Sequence, residues 1–305
     1  NAALVQEVAT LKGHTGSVIG VAYSPDGVLL ATAAGDSTIR LWDTETRAEV
    51  AVLEGHTDGV TSVAFSTDGE SLVSGSLDST VRLWDVATRT NTQTWTNHTD
   101  SVTGVAFNDD GTRIASGSFD GTAIIRDATT GDVIWQSPVG DPLLTVAFSP
   151  DGIQLATGGL GTMVQLWDVT TGESVADLEH AEMVRFVAFS PDGTLLATAV
   201  WDNTVSLWDT SEGTLVTTLS GHTNYVAGVA FNPEGTVLAS ASFDMNVILW
   251  DVKTYEALTT LTGHQDAVIG VAFNPSGTEL ATTSLDQTVK VWSVLDTTAT
   301  PEENS

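Results

Sequence analysis

Histidine, a hydroxyl residue and aspartate recur along this chain at fixed intervals. In the clearest case His56 is followed 18 residues later by Ser74 and four after that by Asp78, with Trp84 beyond them. An imidazole, a hydroxyl and a carboxylate are the parts of a hydrolytic triad. The same set returns, however, as His14, Thr32, Asp36 and Trp42, as His180, Thr198, Asp202 and Trp208, as His222, Ser240, Asp244 and Trp250, and as His264, Thr282, Asp286 and Trp292. A catalytic set occurs once, at an accessible place, so repetition at a fixed period assigns these residues to the fold. Metal chemistry fares no better. The six histidines stand one per repeat, too dispersed to share an ion, and the chain has no cysteine to supply a thiolate.

The elements that must carry these residues are short strands. In Gly55–Asp85 three apolar runs, Val60–Phe65, Ser71–Ser74 and Thr80–Trp84, are separated by turn residues, Asp68-Gly69 being a strong hairpin signal. A fourth run, Thr90–Thr96, follows a polar bend. Histidines at 14, 56, 98, 180, 222 and 264 are spaced 42, 42, 82, 42 and 42 residues apart, and the long interval is two repeats of 41. Trp-Asp pairs close five copies, while Arg126-Asp127 and Trp292-Ser293 fall on the same grid. Seven repeats of about forty residues, each a four-stranded antiparallel unit, read as one domain.

With its Gly-His and Trp-Asp signatures in seven in-register copies over about residues 4–295, the chain resembles a WD-repeat β-propeller. The resemblance implies an all-β, seven-bladed propeller of four-stranded antiparallel blades over residues 1–296. The ring closes when the N-terminal strand Val5–Leu11 completes the last blade beside Val289–Val294. Residues 297–305 are expected to be a polar tail or linker. The resemblance also implies that in each regular blade Trp, Ser or Thr, His and Asp form a buried polar chain, which suits the need of each buried polar atom for a partner.

The pattern weakens in blades three to five. His98, Ser116 and Asp120 are present, but Arg126 takes the tryptophan slot. In blade four Val139 is expected in the histidine slot and Leu160 in the aspartate slot, leaving Thr157 and Trp167. Blade five regains its set, with Glu179 in place of the usual glycine. Blades three and four are expected to be the less stable ones.

The formal net charge is −29. Seventeen of the 39 acids occupy repeated turn positions, yet the remaining 22 still outnumber the ten cations. Such a surface repels phosphate backbones, which argues against nucleic acid and leaves solubility or a basic partner. No run of eighteen apolar residues is present, so no membrane insertion is expected, and no signal peptide is visible at residue 1.

Recognition in this family is expected on the face that holds the loop before the first strand and the turn between the second and third. There the repeats differ. Met183, Arg185, Trp201, Tyr225 and Phe243 gather on blades five and six, with Phe119, Leu77 and Leu285 at equivalent positions elsewhere. Trp, Tyr and Arg dominate binding hot spots. The reading is a non-catalytic scaffold, without cofactor and monomeric on its own, that binds a peptide or protein segment at the channel mouth. The alternatives are a sensor or targeting module of a larger protein, or a hydrolase or lyase framed by the propeller.

Overall fold

A computed structural model describes residues 5–294. The 28 strands within them form seven four-stranded antiparallel sheets. Blade two comprises Val60–Phe65, Ser71–Ser76, Val81–Asp85 and Thr90–Trp95, numbered first to fourth from the central channel outwards. The second run is two residues longer than its apolar stretch suggests, because Gly75 and Ser76 stay in register with Val81 and Val60. The outer part of blade seven joins Thr288–Val294 to Val5–Lys12, paired from Lys12 opposite Thr288 to Val5 opposite Val294 with one register shift between Glu7 and Ala9. The seven-bladed ring and its closure are therefore as the repeat implies. The tail expected at 297–305 lies outside the described residues.

The turns follow from local chemistry. Gly69 sits at a φ of 73°, where a side chain is disfavoured, and the Asp68 carboxylate accepts from the Ser66 hydroxyl and the Glu70 amide. The acids after the third strand do similar work. Asp43 accepts from the Thr46 amide and Asp85 from the Thr88 amide, each at 2.7 Å. Much of the acidic composition is thus spent on turns.

The apolar core lies between blades, not within them. Ala31, Ile39 and Leu41 of blade one pack against Val60, Leu72 and Trp84 of blade two. The closing seam repeats this, with Leu11, Val289 and Val291 against Val18, Leu30 and Trp42. Around the channel the first strands approach closely. A Cβ on Gly228 would stand 2.6 Å from the Ile269 carbonyl oxygen of the next blade, so only glycine fits there. Thr61 and Thr103 donate across blade boundaries to Val102 O and Leu143 O, and Thr283 donates to Ile19 O across the seam.

Every pairing of first and second strand carries a bulge at one place, between Val60 and Ser62 in blade two and between Val184 and Phe186 in blade five. The skipped residues are Ile19, Thr61, Thr103, Leu144, Arg185, Ala227 and Ile269. A bulge re-aims a side chain, and these seven line the channel.

Removal of residues 1–11 deletes the outer strand of blade seven and opens both an edge and an apolar seam. The truncated chain is expected to aggregate or to melt far below the parent. A monomer with an unchanged melting curve would contradict the closure.

Candidate partner-binding face

In four regular blades the buried chain is complete. His56 Nδ1 donates to Asp78 Oδ2 at 2.9 Å, its Nε2 accepts from the Ser74 hydroxyl at 2.8 Å, and Trp84 Nε1 donates to the same hydroxyl oxygen at 2.8 Å. The carboxylate only accepts, which fixes the proton on Nδ1. The other oxygen of Asp78 accepts from the amide and hydroxyl of Thr80, so Asp78 also closes its own turn. The sets at His14, His222 and His264 have the same connections.

Burial pushes the imidazoles of His14, His56, His98, His180 and His264 below their ordinary value of 6.5. Burial raises Asp36, Asp78 and Asp286, but hydrogen bonds from a threonine, a loop amide and the histidine outweigh it and hold each at about 2. Neutral imidazole and ionised carboxylate is thus the resting state of these pairs.

The irregular blades depart from this in three ways. In blade three His98 keeps Asp120 and Ser116, each at 2.9 Å, but Arg126 occupies the tryptophan slot fully buried. Its guanidinium lies over Trp95, 4.6 Å from the ring, and only Nη1 finds acceptors, Asn97 Oδ1 at 3.3 Å and Gly131 O at 3.5 Å. Nε and Nη2 have no partner among the described residues, and burial lowers the group to about 10. Trp95 holds the position of Leu53 and Leu261. A leucine–tryptophan pair has become a tryptophan–arginine pair.

Blade four requires two corrections. Leu160 does not take the aspartate slot. Its amide donates to Pro142 O as Leu77 does to Gly59 O, so Leu160 belongs to the mouth series and Gly161 stands in the aspartate slot. The Asp141 carboxylate lies where a Gly161 side chain would begin. Val139 does not fill the histidine slot either. It is 78% exposed, and a gap of about 60 Å³ remains beside Thr157 and Trp167, which still bond each other at 3.0 Å. Pro138 and Pro142, whose rings restrict the backbone, line the same gap.

Blade five requires a third. Asp202 does not join His180. Its carboxylate accepts only from Thr204, while His180 Nδ1 donates to Leu178 O at 2.9 Å. Nε2 faces the Thr198 hydroxyl at 2.9 Å and Trp208 Nε1 at 3.1 Å. The cause is a deletion. Leu178 pairs with Val164 as Leu261 pairs with Val247, so one residue separates it from the histidine where two separate Leu261 from His264. Glu179 is therefore not a replacement for the glycine, which is missing. The short link keeps the His180 amide on Thr162 O and turns the ring inwards.

At the mouth the expected set divides. Trp201 and Tyr225 stack at 4.7 Å and 7°, and Phe243 meets both edge-on at 6.1 and 6.2 Å. Phe243 and Leu285 rest on a small core of Ala227, Ala267 and Ile269. Tyr225 is 41% exposed. Met183 reaches this group through its carbonyl, which accepts from the Trp201 amide at 3.1 Å. Leu77 and Phe119 are on blades two and three, away from the cluster, and Arg185 lies within the channel. Sequence reading missed Phe186, which also lines the channel and is 41% exposed. The signal was available, since the other blades carry Gly20, Ser62, Gly104, Thr145, Gly228 and Gly270 at that position.

The repeats align with known families along almost the whole described length. The model of the IFT122 first beta-propeller matches residues 39–212, more than half of the chain, and the WD domain, G-beta repeat model matches 5–43, 213–251 and 255–293. The chain belongs to the WD-repeat β-propeller family. Among curated proteins, short stretches of 37 to 39 residues are similar. Cell division cycle 20.6, cofactor of APC complex, from Arabidopsis thaliana is 54% identical over 37 residues, 12% of this chain and 9% of that protein. Notchless protein homolog of the same plant is 51% identical over 37 residues, 12% and 8% respectively. Protein Mut11 of Chlamydomonas reinhardtii is 53% identical over 38 residues, 12% and 10%. The chain spans about a tenth of the length of these relatives. Neither comparison indicates an enzyme family, and no helix of the described residues is long and apolar enough to cross a membrane.

Two outcomes follow from the networks. The unfolded chain binds protons on histidine near pH 6.5, whereas the folded chain with its lowered imidazoles does not. Their contribution to stability is full above pH 6.5 and declines as pH falls through the folded values. The aspartates add a second loss between 3.8 and about 2. Acidification also relieves the −29 charge, which acts the other way, so imidazole ¹⁵N shifts are the direct measurement. Neutral rings bonded through Nδ1 are expected for His14, His56 and His264 at neutral pH, with titration midpoints below 6.5, and midpoints at or above 6.5 would contradict the burial argument.

In blade three, Arg126→Trp alone crowds Trp95. Combined with Trp95→Leu it restores the regular pair and removes a buried charge, with an expected gain on the order of 2 kcal/mol in denaturant unfolding. A double variant no more stable than the parent would show that the arginine is accommodated at no cost.

Proposed function

We propose that the chain is a non-catalytic protein-interaction module that docks a peptide or protein segment over the aromatic cluster at the mouth of the channel. The observation that carries this reading is the Trp201–Tyr225–Phe243 cluster. Three rings from blades five and six meet at one rim, and Tyr225 keeps much of its surface in water. A contiguous set of rings, one exposed and two partly buried, fits the requirements of a hot spot. Leu160 and Leu77, both exposed at equivalent rim positions, extend the apolar surface around the channel. The family membership points the same way, and one relative is named as a cofactor of a multiprotein complex. The acidic surface favours a segment with basic flanks, which it would attract before contact.

A partner taken from the native source and titrated calorimetrically tests this. Trp201→Ala and Phe243→Ala are each expected to weaken binding by about 2 kcal/mol, roughly thirtyfold, with little change in melting temperature. Ile153→Ser, at an exposed turn on the opposite face, should bind like the parent. Thr61 and Thr103 are poor controls, since their hydroxyls bridge blades. Full affinity in both ring variants with a loss in Ile153→Ser would place the site on the other face.

A further inference from the structure

Arg185 is set apart from the other cations by its place in the channel. Arg40, Arg47 and Lys290 form ion pairs with Glu49, Glu279 and Glu7, and no other lysine or arginine lines the channel space. Arg185 makes no ion pair or side-chain hydrogen bond among the described residues, although a guanidinium carries five N–H donors. It stands at the blade-five bulge and lines the channel, whose free space is about 100 Å³. Leu144, Ala227 and Ile269 line the same space and offer it no side-chain acceptor, the remaining polar side chains of the lining are hydroxyls, and no carboxylate lines it. Burial lowers its pKa and no nearby carboxylate opposes that effect. A guanidinium nevertheless stays charged at neutral pH, so the channel holds an uncompensated cation.

Another unpaired donor lies on the same blade, outside the residues that line the channel space. Trp201 Nε1 is buried without an acceptor among the described residues. Trp201 follows Val200, the residue paired with Val184 next to the bulge, and its amide is bonded to Met183 O. Phe186, the next residue after Arg185, adds an exposed aromatic wall to the channel.

We propose that the channel contains a carboxylate-binding site built on Arg185. The planar fork of a guanidinium matches the two oxygens of a carboxylate. The free space of about 100 Å³ beside Arg185 has room for a carboxylate and its methylene. Net charge selects in the same direction, because a surrounding potential set by −29 penalises a dianion more than a monoanion. The ligand is a free small carboxylate or the acidic side chain of a protein segment. The site does not depend on docking at the mouth.

The test replaces chloride with acetate at constant ionic strength and follows the Arg185 Nε–H resonance and the melting temperature of the full chain. A saturating shift and a rise in melting temperature are expected, and both should vanish in Arg185→Met. That variant should melt no lower than the parent, since it loses an unpaired charge, so its silence cannot be attributed to unfolding. A shift that stays linear, or a melting response that persists in Arg185→Met, overturns the proposal. So does a resonance that chloride moves as far as acetate. The peptide acetyl-Gly-Gly-Glu-Gly-Gly-amide, whose only charge is one carboxylate, separates the two sources. Competition with acetate identifies a chain-borne carboxylate, and acetate binding alone identifies a free one. Because neither probe needs the natural partner, failure here leaves docking over the rings untouched, and loss of that docking leaves the acetate response intact.

Discussion

No blade of this ring has a core of its own. Each sheet buries its face on the next, so seven interfaces must form together and the last requires residues from both ends of the chain. Leu11 fills the closing seam beside Val289 and Val291, and without it the face of blade one that carries Trp42 would meet water. The closing seam joins residues nearly the whole chain apart, and the entropy of closing so large a loop has to be offset before the interface forms. Glycines around the channel serve the same constraint, since backbone as close as Gly228 is to Ile269 leaves no room for a side chain.

The polar networks are a second layer on that frame. Each ties a loop to a turn and a tryptophan of the same blade, and each buries one imidazole whose two nitrogens are both used. Their survival does not require every member. Blade three replaces the tryptophan and keeps the other two bonds, blade four loses histidine and aspartate together, and blade five turns its histidine onto a backbone carbonyl. In no case is a carboxylate left buried and unpaired. The costly remnant is Arg126, whose buried charge is softened by the face of Trp95 and by two long hydrogen bonds from Nη1.

Fold and closure were legible because they rest on period. A repeat that returns seven times averages over local exceptions, and an N-terminal fragment matching a fourth strand has one place to go. The site was legible less evenly. Trp201, Tyr225 and Phe243 were found because ring positions differ between repeats, but the bulge that turns Arg185 into the channel leaves no trace in an alternating pattern. Leu160 was misplaced by one residue, since a loop with neither histidine nor aspartate offers no anchor for counting. The 41-residue spacing of blades four and five did record their shortened loops, yet spacing alone does not locate a deletion. Only the pairing of Leu178 with Val164 shows that the glycine before His180 is the missing residue. Phe186 differs from the small residues at its place in the other repeats, but an alternating strand pattern does not mark that position as facing the channel.

The departures are not scattered. The altered networks run through blades three, four and five, and the unusual channel residues Arg185 and Phe186 follow the shortened loop of blade five. Shortening that loop removed the carboxylate tie from His180 and freed Asp202, whose neighbours Trp201 and Asn203 now hold buried polar atoms without partners. In the regular blades the same turn is fixed by the aspartate's bonds to histidine and to the loop amide, as Asp244 is by His222 and Thr223. The blade-five turn lacks that tie, and it is the turn that carries the stacked tryptophan. A ring held by four complete networks and seven interfaces has the stability to carry one loosened corner, and that corner is where this chain concentrates its aromatic surface and its uncompensated charge.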